Sequence, residues 1–155
     1  MKARMDFRKA SPQGAKAIAD LHAFVRKCGL EHALLELVKL RASQINGCAH
    51  CIDMHTKELR ADGEDEQRLY LLDAWRESPF YSERERAALA WTEALTLVAD
   101  GHVPDEVYTA ARAQFSEEEL ANLSIAIVAI NGANRLNIAF RTVPGSHRAK
   151  VRAAS

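Results

Sequence analysis

The sequence predicts an all-α fold, a single-domain helical bundle of about six to eight helices spanning residues 1–155. Three observations carry this expectation. Apolar residues recur at three- and four-residue steps along most of the chain, helix caps and stops flank those runs, and no segment alternates apolar and polar residues between turns. Ile125-Ala126-Ile127-Val128 has the composition of a buried strand, but its flanks are helical. No internal repeat and no second domain is visible.

The elements follow in order. Ser11-Pro12 is an N-cap with proline at the first helical position, Gly29 is a stop, and Ile18, Leu21, Val25 and Cys28 lie between them at helical spacing. A second helix runs from about Glu31 to Gln44 and ends at Asn46-Gly47, two residues that tolerate the left-handed stop conformation. A third starts at about Cys48 and ends near Asp62-Gly63. A shorter one follows from Glu66 to Arg76, broken by Ser78-Pro79.

Ser82 with Glu85 forms a capping box for a helix reaching about Ala99. Pro104-Asp105-Glu106 opens another, with acids where the helix dipole favours them. A second capping box, Ser116 with Glu119, begins a long helix to about Phe140. Pro144-Gly145 closes the fold, and residues 146–155 read as a basic, flexible tail.

Composition narrows the function classes. Lys plus Arg equals Asp plus Glu at 21 each, so a nucleic-acid partner is disfavoured and little net charge opposes self-association. The N-terminal residues lack the apolar run of a signal peptide. The longest uninterrupted apolar stretch, Ile125 to Ile130, is far below the roughly 20 residues that span a bilayer, so no membrane partner is expected. Three cysteines make a structural disulfide framework improbable and fit a cytoplasmic, reducing compartment.

The chemistry concentrates in Cys48-Ala49-His50-Cys51-Ile52-Asp53-Met54-His55. On a helix, positions 48, 51 and 55 share one face. Two thiols at the opening turn face unsatisfied N–H groups and the positive dipole end, which favour a thiolate. A CxxC pair can close a small disulfide, so a sulfenic acid formed on one sulfur condenses with the other. His55, one turn beyond Cys51, is placed to exchange its proton.

Glu36 stands ten residues before the Asn46-Gly47 turn, about 15 Å of helix. If the next helix folds back antiparallel, Glu36 meets His55. A relay Glu36–His55–water–Cys51 follows, with His50 as a partly exposed neighbour of the thiols. Cys48, Cys51, His55 and His50 could instead ligate zinc, but structural zinc sites usually draw ligand pairs from two segments and no second pair appears. Cys28, ending an apolar stripe, reads as a buried small residue. In the last helix Ser124, Asn131 and Asn134 share a face with Leu120, Ile127 and Ile138, so their polar groups are expected to bond across helices or subunits. Arg135 is expected to pair with an acid of the cysteine helix or of a partner subunit.

The stretch from Glu36 to His55, with its CxxC and following histidine, resembles the core motif of the AhpD-like alkylhydroperoxidases of the carboxymuconolactone decarboxylase superfamily. Asn134-Arg135-Leu136-Asn137-Ile138-Ala139-Phe140-Arg141 is similar to another stretch typical of that group. The resemblance implies an all-helical protein assembled as a trimer or hexamer, reducing peroxides without metal or organic cofactor. It also implies Cys51 as the peroxide-attacking thiol, Cys48 as the resolving one, and Glu36, His50 and His55 as the proton relay. The chain departs from many relatives at His50, where they carry an aromatic residue, and at Ala133, where they carry tryptophan.

The expected function is therefore a thiol peroxidase acting on alkyl or hydrogen peroxides and recycled by an unidentified dithiol reductant. Two alternatives stand beside it: a non-enzymatic redox sensor or oligomeric scaffold switched by the 48–51 disulfide, and a decarboxylase-like acid–base enzyme.

Overall fold

The computed structural model describes residues 2–149. Nine α-helices are found among these residues, with no strand: α1 (Phe7–Ala10), α2 (Pro12–Val25), α3 (His32–Asn46), α4 (Ala49–Ala61), α5 (Glu66–Leu71), α6 (Glu83–Thr96), α7 (Val98–Gly101), α8 (Asp105–Gln114) and α9 (Glu117–Phe140). The seven longer helices are those the sequence anticipates. α1 and α7 are single turns of four residues, too short for a periodic signal. The expected helix at 66–76 splits into α5 and a 3-10 turn at Leu72–Ala74, and Leu97 divides the helix expected to reach Ala99. Both capping boxes form as reciprocal pairs, at Ser82 with Glu85 and at Ser116 with Glu119.

α3 is the spine of the fold, packed against α4, α6 and α9. Two apolar cores meet on it. Leu34, Leu35 and Val38 join Val25, Trp91, Leu123 and Ile127 in one; Leu37 and Leu40 join Leu59, Leu72, Trp75 and Leu89 in the other. Each fully buried leucine contributes roughly 1.5–3 kcal/mol relative to exposure. A helix apolar on both sides has room for few polar residues, so Glu36, Lys39 and Ser43 within it require partners.

α9 is the second internal helix and packs on α2, α3, α4, α6 and α8. By length and composition alone it is apolar enough to cross a bilayer, which a search for uninterrupted apolar runs misses. Here it is a core helix with Leu120, Leu123, Ala126, Ile127 and Ile130 buried. Its amides bond across helices. Asn134 Nδ2 donates to Ser43 Oγ at 3.0 Å, and Asn46 Nδ2 donates to Asn131 Oδ1 and Asn134 Oδ1, both at 2.9 Å. Asn131 Nδ2 donates to Thr96 Oγ1, and Ser124 Oγ accepts from Trp91 Nε1.

Two expectations need correction. Arg135 meets no acid of α4 among the described residues; it is exposed and donates to Asn131 of its own helix, and the pairing expected with an acid of a partner subunit remains an expectation. Asn46 remains helical, and Gly47 alone takes the left-handed stop at φ 67°. Of the expected tail at 146–155, residues 150–155 lie outside the described residues. Residues 146–149 run along α4, where His147 Nε2 meets Glu58 Oε1 at 2.5 Å.

Replacing fully buried Asn134 with alanine strands the groups that Ser43 and Asn46 direct at it. A loss of roughly 2–3 kcal/mol is expected, read as a lower urea midpoint at unchanged slope.

Candidate active site

The turn at Gly47 reverses the chain between α3 and α4 and fixes the site. Cys48 is the N-cap of α4, and its Sγ accepts from the Cys51 backbone N–H at 3.4 Å. The two sulfurs are joined as a disulfide, with Cα atoms 5.3 Å apart. Asn137 of α9, from 86 positions further along the chain, directs its Nδ2 at Cys51 Sγ at 3.5 Å. Both cysteines are buried, at 1% and 0% exposure.

One turn into α4, His55 Nδ1 lies 2.7 Å from Glu36 Oε2. The other carboxylate oxygen, Oε1, accepts from Lys39 Nζ at 2.7 Å. All three residues are 4–5% exposed. Burial by itself would push the Glu36 carboxyl up. The hydrogen bond and charge of His55, joined by those of Lys39, outweigh it and hold Glu36 at about 2, below its ordinary 4.5. Glu36 is therefore an ionised, acceptor-only group, so His55 Nδ1 must carry the proton it donates. Its Nε2 is buried and has no partner among the described residues, and neither has Asn137 Oδ1.

Cys51, His55, Glu36, Lys39 and Asn137 all line one cavity of about 690 Å³, bounded by α1, α2, α3, α4 and α9. Cys48 does not line it. His50 does, at intermediate exposure, and its Nδ1 donates to the Val143 carbonyl at 3.3 Å, outside the Lys39–Glu36–His55 chain. Burial lowers the His50 pKa, against the upward pull of the Val143 carbonyl. Ala133 contributes only a methyl to the wall. Cys28 is free, partly buried against the first apolar core and away from the cavity.

Sequence reasoning placed Glu36 beside His55 but missed three groups. Lys39 looks like a surface partner in an i,i+3 pair until both faces of α3 are found covered. Asn137 reaches the sulfur only through the packing of α9 on α4. His22 enters the cavity from α2, and its pKa is lowered by burial first, then by the charges of Lys39, His55 and Arg26. Periodicity carries no signal for such contacts. The one available hint was a polar residue interrupting an apolar helix.

Comparison with known proteins identifies the family of the chain. The carboxymuconolactone decarboxylase family model matches residues 12–94, which include Glu36, Cys48, His50, Cys51 and His55. An uncharacterized Bacillus subtilis (strain 168) protein, YdfG, is 42% identical over 139 residues, covering 90% of this chain and 95% of its own. A crystal structure from Agrobacterium tumefaciens, of a protein of unknown function proposed to be the antioxidant defence protein AhpD, superposes with a TM-score of 0.91. It is 47% identical, over 94% of this chain and all of that one. The debrominase Bmp8 has the same fold at a TM-score of 0.76 and 21% identity, over 89% of this chain and 74% of its own. The chain belongs to the carboxymuconolactone decarboxylase family, and its all-α fold is AhpD-like.

The depressed Glu36 pKa fixes a sign. A carboxyl ionised more readily in the folded state adds stability above its ordinary pKa, and loses it as pH falls from about 4.5 toward about 2. In Glu36→Gln the Lys39 ammonium has no carboxylate partner at any pH. The stability gap between wild type and Glu36→Gln, taken from urea midpoints, is expected to be widest near neutrality and to shrink through that acid window.

Proposed function

We propose that the chain is a thiol-dependent peroxidase that reduces alkyl or hydrogen peroxides. The observation that supports it best is one cavity lined both by Cys51 of the CxxC disulfide and by His55, whose Nε2 has no partner among the described residues. In the reduced protein, His55 Nε2 takes the proton of the Cys51 thiol, and Asn137 Nδ2 donates to the resulting thiolate. Glu36, ionised between Lys39 and His55, holds the imidazole in the tautomer that leaves Nε2 basic and stabilises the imidazolium that forms.

The Cys51 thiolate attacks the terminal peroxide oxygen. An S–O bond forms, the O–O bond breaks, and the alkoxide leaves with the proton from His55. Cys51 is then a sulfenic acid. The Cys48 thiol displaces its hydroxyl as water and closes the 48–51 disulfide. An external dithiol returns two electrons and two protons and is itself oxidised. His50, beside Cys51 at the α4 N-terminus, assists this proton traffic. The enzyme works as a homo-oligomer, trimer or hexamer, in the cytoplasm.

The proposal is tested with reduced protein and one equivalent of peroxide. Two thiols per chain should disappear and return with dithiol, and peroxide should be consumed through many turnovers. Cys51→Ser should consume none. Cys48→Ser should stop after one oxidation, with a sulfenic acid that dimedone traps. His55→Ala should slow peroxide reduction by roughly 10²–10⁴-fold. Peroxide reduction that persists in Cys48→Ser/Cys51→Ser sinks the mechanism, and a wild type that oxidises once without turnover favours the redox sensor.

A further inference from the structure

The cavity around Cys51 is larger and more positively charged than a small neutral peroxide requires. Its walls are mostly apolar, formed in part by Phe7, Ile18, Met54, Ile130 and Leu136. Its lining holds four permanent cations, Arg8, Lys16, Arg26 and Lys39, against two carboxylates, Glu36 and Glu58. Both carboxylates are engaged: Glu36 by Lys39 and His55, Glu58 by His147. Lys16 is paired with Asp20.

That leaves two guanidinium groups. Neither Arg8 nor Arg26 meets a carboxylate among the described residues; Arg8 lies over the Phe7 ring, 4.6 Å from its centroid. Arg26 is near enough to His22 to act on its charge, and Arg8 does the same to His50. The two arginines thus mark the His22 side and the His50 side of one apolar cavity, with Cys51 in its wall. A guanidinium at the edge of an apolar cavity is suited to a carboxylate, which it can hold through two parallel hydrogen bonds.

Resting on the peroxidase reading, we propose that the preferred substrates are organic hydroperoxides with an apolar chain and a carboxylate. The carboxylate is held by Arg8 or Arg26, the chain lies along Ile18, Met54 and Leu136, and the hydroperoxide group reaches Cys51. His55 Nε2 and Asn137 Oδ1, buried and without a partner among the described residues, belong to the same cavity lining and are available to the hydroperoxide group. Arg8 and Arg26 are binding residues in this scheme and take no part in the redox step.

Two measurements on the full-length protein separate this proposal from the reading beneath it. The first compares turnover of linoleic acid hydroperoxide with that of its methyl ester, which lacks the charge and adds one methyl group. A kcat/KM ratio of about tenfold or more in favour of the acid is expected, falling toward unity in Arg8→Gln/Arg26→Gln. The second needs no catalysis: calorimetric binding of decanoate and 1-decanol to the oxidised protein. Decanoate should bind about tenfold more tightly, and the double variant should remove that preference.

If decanoate is preferred and the variant abolishes the preference while no peroxide is turned over, the anion site stands and the peroxidase reading falls. If peroxides are turned over but acid and ester react equally and decanoate binds no better than decanol, the anion site falls and the peroxidase reading stands. A preference that survives in the double variant also overturns the assignment to Arg8 and Arg26.

Discussion

Glu36 is a carboxylate buried inside the most central helix of the bundle, and burial on that scale is tolerated only because both of its oxygens are occupied. Lys39 takes one and His55 the other, each at 2.7 Å. An isolated buried charge would cost several kcal/mol. The three-group chain turns that cost into a constraint: α4 must dock on α3 at the register that brings His55 to Glu36. The same docking places the α4 N-terminus, and with it Cys48 and Cys51, against α9. Shape of the bundle and chemistry of the site therefore rest on one ion-paired cluster.

That cluster separates two tasks that a single histidine must perform. One imidazole nitrogen is committed to structure through its proton and the Glu36 oxygen. The other has no partner among the described residues, and His55 lines a cavity that also holds a redox-capable sulfur. A carboxylate held at about 2 stays ionised at neutral pH, so it accepts the proton that His55 Nδ1 carries. The fold alone would not identify the chemistry, since the debrominase Bmp8 has it too. The reading of this chain depends on the residues placed around Cys51.

Much of the fold was legible because the signals are local. Capping boxes, the Gly47 stop and three-and-four spacing depend on residues within one or two turns of each other, and they located every helix longer than one turn. Glu36 and His55 were legible for a related reason: a tight turn of known position joins their helices, so heights along the two helices can be compared. The single-turn helices α1 and α7 left no trace, because four residues cannot display a period. The pairing of Arg135 with an acid of α4 was not legible, because helical spacing gives a residue's face and not what lies opposite it.

The sequence by itself determined an all-helical chain, the CxxC at the start of a helix, and the acid and base that flank it, since each follows from short-range geometry. Only the tertiary structure decided that Lys39 is buried, that Asn137 reaches the Cys51 sulfur across 86 residues, and that His22, Arg8 and Arg26 share a cavity with it. Those relations come from packing α4 and α9 onto α3, and α2, with α1 beside it, onto α9. Contacts between distant segments depend on how whole helix faces fit together, and no periodicity along one helix encodes its partner.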